Sequence, residues 1–182
     1  MEQKMLIVID MQQDFVDGVL GTSEAKSIIP AIRNRIIAAK KAGEKIIFTR
    51  DTHFPDYLQT YEGKKLPVEH CIKNTNGWNL IHELSEFIEN STTIIDKVTF
   101  GSRTLGELLA EEHLHKPISQ VELLGVCTDI CVISNALLLK AFLPEVRICV
   151  NSNCCAGTTP ENHELALSAM KLCQIDILNK GM

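Results

Sequence analysis

The stretch Leu123-Leu124-Gly125-Val126-Cys127-Thr128-Asp129-Ile130-Cys131-Val132 decides how this 182-residue chain is read. An apolar run stops at a glycine, turns through polar residues and enters a helical pattern, which makes it a strand-turn-helix junction. With Thr128 as the N-cap, Cys131 becomes the third residue of the helix, where unpaired N–H groups and the helix dipole favour a negative charge. Such a position favours thiolate over thiol. A cytosolic cysteine is more often a small buried hydrophobe, so the other strand ends have to decide between the two readings.

Upstream, residues 5–9 form a continuous apolar run that ends abruptly at Asp10, as a strand buried on both faces does. Residues 23–42 carry apolar side chains at helical spacing and close on Gly43, which reads as one long amphipathic helix. Residues 45–49 are a second strand ending at Arg50-Asp51. Residues 51–77 follow without periodicity, and loops of that length usually carry function. A helix over 78–88 leads to a third strand, 92–95, ending at Asp96-Lys97. After a helix over 104–113 come the fourth strand, 121–126, its helix over 129–142, a fifth strand at 146–150, a helix over 161–172 and a sixth strand at 175–178.

Strands alternating with helices predict a three-layer, doubly wound α/β fold. Its mostly parallel six-stranded sheet carries helices on both faces, with right-handed crossovers. Length and 45% hydrophobic content predict one domain over residues 1–182. In such sheets ligands bind beyond the carboxyl ends of the strands, near the switch in strand order. Those ends carry Asp10, Asp51, Lys97 and the turn leading to Cys131.

A net charge of −5 without a basic cluster argues against a nucleic-acid partner, and the apolar runs are too short to span a bilayer. The N-terminus has neither the apolar core nor the cleavage site of a signal peptide, so the chain reads as cytoplasmic. Seven cysteines, odd in number and without CxxC pairing, fit neither a disulfide framework nor a four-cysteine zinc site.

A thiol near a carboxylate and an ammonium suits acyl transfer through a thioester. Asp10 takes the thiol proton, Lys97 balances the charges, and the N–H groups of Cys127 and Cys131 hold the oxyanion. Asp51, His53, Glu62 and His70 offer two imidazoles and two carboxylates. That set suits zinc, iron or manganese, although histidines in polar loops are usually just solvated. The other histidines, at 82, 113, 115 and 163, are given no role.

These residues carry a resemblance. Ile9 through Phe15, Arg50 through His53, Glu62-Gly63 with His70-Cys71, Lys97 with Phe100, Gly125 through Val132, and Cys155-Ala156-Gly157 resemble the isochorismatase-like cysteine hydrolases, and within them the nicotinamidases. The resemblance implies a catalytic triad of Asp10, Lys97 and Cys131. It also implies a divalent metal, zinc foremost, on Asp51, His53 and His70, with Glu62 as a further ligand, and a substrate pocket walled by Phe15, Leu20 and Phe100. It further implies a cis peptide at Val126–Cys127 and assembly as a homo-oligomer. One departure stands out: where nicotinamidases tend to place a ring-stacking aromatic before the metal histidine, this chain has Leu66-Pro67-Val68-Glu69. Isochorismatases that cleave vinyl ethers lack the nucleophilic cysteine.

The expectation is therefore a cysteine amidohydrolase of a small amide, nicotinamide first and another carboxamide or carbamoyl compound second. From other classes, the alternatives are a redox protein using Cys127 and Cys131, or a non-catalytic binding protein on the same fold.

Overall fold

A computed structural model of the chain describes residues 2–179. Six parallel strands form one sheet: β1 (Gln3–Ile9), β2 (Lys45–Asp51), β3 (Thr93–Lys97), β4 (Ile118–Val126), β5 (Arg147–Ala156) and β6 (Asp176–Leu178). Their order is β3-β2-β1-β4-β5-β6, so the sequence of strands reverses between β1 and β4. Met5 through Ile9 are all buried, as expected for a central strand covered on both faces. This is the doubly wound architecture expected from the sequence.

Among the described residues the α-helices are α1 (Gln13–Val16), α2 (Ser23–Ser27), α3 (Ile29–Ala42), α4 (Tyr61–Lys65), α5 (Arg103–His115), α6 (Ile133–Phe142) and α7 (Pro160–Leu172). Helices α5, α6 and α7 pack side by side, while α3 packs with α2 and with a 3₁₀ turn at His82–Phe87. Among the described residues, no helix is long and apolar enough to cross a membrane.

Two expected helices come out differently. The helix expected over 23–42 is broken at Ile28, because Pro30 has no N–H for the carbonyl of Lys26 and its ring clashes with that turn. Thr22 caps the first piece by accepting from Ala25 N, and Pro30 sits in the first turn of the second. The helix expected over 78–88 is replaced by a 3₁₀ helix over His82–Phe87, since the backbone before it is committed elsewhere. Trp78 O accepts from Gln12 Nε2 at 2.8 Å, Asn79 O from Gln13 N, and Ile81 N donates to Met11 O. Residues 78–81 are thereby held against the segment following β1, with Leu80 bridged antiparallel to Gln12.

Candidate active site

Asp10 leaves β1 with φ of 47°, a left-handed conformation that aspartate tolerates better than most residues. Across from it, Ile9 pairs with Gly125 of β4, whose φ is 117°. A Cβ on Gly125 would lie 2.1 Å from Ile9 O, so only glycine lets the two strand ends approach this closely. That approach sets Asp10 beside the Cys127–Cys131 turn. Thr49 of β2 holds the carboxylate, accepting from Asp10 N at 3.2 Å and donating to Asp10 Oδ1 at 2.6 Å.

Lys97, the last residue of β3, is buried at the centre of the site. Its Nζ lies 2.7 Å from Asp10 Oδ2, 3.2 Å from Asp51 Oδ1 and 3.4 Å from Cys131 Sγ. Asp10 Oδ2 meets the ammonium as an ion pair and accepts no aligned hydrogen bond, which leaves a lone pair for a proton. Burial, opposed by Lys97 and assisted by Asp51, raises the pKa of Asp10. Burial alone would lower that of Lys97, but the charges of Asp10 and Asp51 hold its proton firmly.

Cys131 lies in a π-helical turn, Thr128–Val132, that runs into α6. Its thiol is pushed well above the ordinary value, by burial first and by Asp10 second, and Lys97 only partly offsets them. Desolvation thus works against the thiolate that the helix start favours. The capping expectation is corrected. Thr128 makes no cap, and its buried hydroxyl instead pairs with His163 Nδ1 at 2.8 Å, giving a partner to a histidine that the sequence left without a role. The Val126–Cys127 peptide is cis.

Asp51, His53, Glu62 and His70 converge so that one ligand atom of each lies within 4.8 Å of the others. His53 Nε2 is 3.1 Å from Asp51 Oδ2 and 3.7 Å from Glu62 Oε1, and His70 Nε2 is 3.8 Å from Asp51 Oδ2. His70 Nδ1 donates to Val68 O at 2.8 Å, which orients the ring with Nε2 toward the other donors. Burial works against ionisation of Asp51, yet the His53 hydrogen bond and the charge of Lys97 bring its pKa below the usual value. Converging nitrogen and oxygen donors, most of them buried, fit a borderline divalent ion such as zinc.

A cavity of about 850 Å³ opens over these groups. Phe15, Leu20 and Phe100 line it together with Cys127, Cys131 and the four candidate metal ligands, while Asp10 and Lys97 lie behind its wall. Leu66 lines it as well, and Tyr61 and Lys65 stand at its exposed rim.

Three positioning groups escaped the sequence reading. Gln12 brackets Asp51, accepting from Asp51 N at 2.7 Å and donating to Asp51 O at 2.9 Å. Tyr57 is buried with its ring 4.6 Å from that of His53 and 5.0 Å from that of His70, and its hydroxyl donates to Leu66 O. Asn135 reaches the carbonyl of Cys131. Only Gln12, polar directly after a buried strand, carried a local signal.

Comparison with known proteins agrees with this geometry. The model of the Isochorismatase domain matches residues 4–180. An uncharacterized isochorismatase family protein, PncA of Bacillus subtilis (strain 168), is 31% identical over 174 residues, covering 91% of this chain and 93% of its own. Among solved structures, the pyrazinamidase of Pyrococcus horikoshii in complex with zinc superposes with a TM-score of 0.82 at 28% identity, covering 97% of this chain and 98% of its own. The pyrazinamidase/nicotinamidase of Streptococcus mutans UA159 gives 0.82 at 30% identity, with 97% and 100% covered.

Proposed function

The chain belongs to the isochorismatase family, and from that membership we propose that it is a cysteine amidohydrolase converting nicotinamide to nicotinate and ammonia. The observation that carries the reading is the placement of Lys97, in contact with both Asp10 and Cys131, behind a cavity that is also lined by four metal-type donors. The named activities of the Pyrococcus and Streptococcus relatives support the same substrate class.

In the mechanism that this arrangement supports, Asp10 takes the Cys131 thiol proton as Sγ bonds to the amide carbon. Lys97 remains charged and balances the anion that forms. The N–H groups of Cys127 and Cys131 hold the tetrahedral oxyanion. Asp10 then passes the proton to the leaving nitrogen, the C–N bond breaks, ammonia departs and a thioester remains. Water adds to the thioester while giving a proton to Asp10. The C–S bond breaks, Asp10 returns that proton to Sγ, and the acid product loses its own proton to solvent. A raised Asp10 pKa suits this alternation between base and acid.

Asp51, His53, Glu62 and His70 would hold a divalent ion, zinc foremost, which when bound supplies a Lewis-acid site for a pyridine-type nitrogen. Phe15, Leu20 and Phe100 flank the ring.

A second reading, an amide or carbamoyl compound bulkier than nicotinamide, is favoured by the cavity volume of about 850 Å³ and by Leu66 at the ring-stacking position.

Ammonia release separates the two. Zinc-loaded protein should hydrolyse nicotinamide much faster than benzamide, which lacks the ring nitrogen, and chelation should remove that preference. Losing the contact should cost on the order of a hundredfold in kcat/KM. Equal rates on both amides, insensitive to chelator, would sink the nicotinamide reading.

A further inference from the structure

Asn135 is fully buried on α6, among residues that are otherwise largely apolar. Asparagine is a poor residue for a helix interior, and burying its amide is costly unless it is hydrogen-bonded. Here two of its bonds leave the helix for the loop before α5, and the third turns back to the carbonyl four residues earlier. Oδ1 accepts from Ser102 N at 2.9 Å, while Nδ2 donates to Phe100 O at 3.0 Å and to Cys131 O at 2.8 Å.

The two segments that it joins are the ones the reaction needs in register. One is the π-helical turn carrying Cys131. The other is the loop from Lys97, at the end of β3, to Ser102, which caps α5 by accepting from Leu105 N. That loop carries Phe100 and Val98 along the cavity wall. It also runs hard against α6: a Cβ on Gly101 would lie 3.1 Å from Ser134 O. With loop and helix this close, one amide can reach a carbonyl on each.

We infer that Asn135 is a positioning residue of the active site, its side-chain amide locking the Cys131 turn to the loop that follows Lys97 and carries Phe100. The inference rests on the cysteine-nucleophile reading, though one of its tests needs no substrate. Without the amide, the Phe100 and Cys131 carbonyls lose their shared donor, and Sγ is no longer held against Lys97.

The test compares Asn135→Leu and the milder Asn135→Ser with a control, Asn151→Ser. Asn151 is another buried amide, bonded to Glu122 and Asn179 on the β5 side of the sheet. For each variant, kcat and KM for nicotinamide, the unfolding midpoint, and the rate of Cys131 alkylation by iodoacetamide, followed by mass spectrometry, would be measured. Asn135→Leu should lose about ten- to a hundredfold in kcat/KM, the range expected when a reacting group is misplaced by an ångström or less. Cys131 alkylation should slow by about tenfold as Lys97 ceases to favour the thiolate. Asn151→Ser should lower the midpoint and leave kcat and alkylation as in the wild type.

If Asn135→Leu does not fold, Asn135→Ser carries the test with smaller changes in the same directions. Alkylation of Cys131 at or above the wild-type rate in a folded Asn135 variant overturns the inference. So does a kcat/KM loss that Asn151→Ser reproduces at equal stability. Should the wild type not hydrolyse nicotinamide at all, the substrate reading fails, while the alkylation comparison still decides the role of Asn135.

Discussion

Lys97 Nζ lies 2.7 Å from Asp10 Oδ2, and neither side chain is more than 1% exposed. Breaking such a pair by removing one member costs about 3–5 kcal/mol, because the remaining charge has no water to turn to. Lys97→Met leaves both Asp10 and Asp51 without their shared cation, so it should lose stability on that scale in urea unfolding and show no turnover. Asp10→Asn keeps the shape of the side chain. It should fold, with kcat lowered by about 10²–10⁴-fold, the usual contribution of a general base. The pH dependence follows from the raised Asp10 pKa. A carboxyl raised on folding contributes stability below its unfolded value of 3.8 and loses it as pH rises through the folded value. The stability deficit of Asp10→Asn should therefore shrink between pH 4 and neutrality; a deficit that grows with pH contradicts the assignment.

The second prediction concerns the thiols. Burial holds Cys131 protonated well past 9.0, so alkylation of the metal-free protein should be slow at neutral pH and rise only on the alkaline side of that value. A midpoint below 8 would show that the dipole and Lys97 win after all. Cys131→Ala should fold and lose on the order of 10⁴-fold or more in kcat. Cys127→Ala keeps its backbone N–H, the only group of that residue used here, and should stay within about tenfold of the wild type.

What the sequence disclosed follows from how far each signal reaches along the chain. Buried parallel strands read as unbroken apolar runs, so β1 and β4 and their polar terminators, Asp10 and the Cys127–Cys131 turn, were plain. The split at Ile28 was legible too, had Pro30 been weighed above the periodicity of its neighbours. Other features depend on contacts that no local pattern carries. The non-helical run at 78–81 exists because Gln12 and Met11 claim its backbone from across the chain. Tyr57 and Asn135 look like ordinary helix or turn residues until their distant partners are known. The protonation of Cys131 depends on how completely it is buried, which its position at a helix start does not reveal.

Gly125 is the third site to test. Its φ of 117° is strained for any L side chain, and a methyl group there would meet Ile9 O at 2.1 Å. Gly125→Ala must push β4 away from β1 at the point where Asp10 and the Cys127–Cys131 turn come together. The expected loss is on the order of 3 kcal/mol or more in stability, from strain and steric conflict together, with activity lost even in the fraction that folds. Gly43→Ala is the matching control. It also has a positive φ, 69°, but nothing lies within 4 Å of a Cβ there, so only the backbone strain remains and activity should persist.

Glu62 sits in the first turn of α4, which Thr60 caps by accepting from Gly63 N at 3.0 Å. That short helix is clamped onto the preceding turn, since a Cβ on Gly63 would fall 2.0 Å from Tyr57 O, so Glu62 is presented from a fixed element. Its carboxylate is nonetheless the most exposed of the four donors, 26% against 9% or less for the others, and solvent can replace it more cheaply. Glu62→Ala should therefore weaken zinc on the order of tenfold, measured by competition with a chromophoric chelator, and saturating zinc should restore kcat. His70→Ala removes a nitrogen donor whose orientation is fixed by the Val68 carbonyl, and zinc should not rescue it. Because imidazoles must be neutral to bind, affinity in the wild type should fall with acidification, and in Glu62→Ala it should fall in parallel. Zinc affinity unchanged by Glu62→Ala would leave Asp51, His53 and His70 as the whole protein contribution to the site.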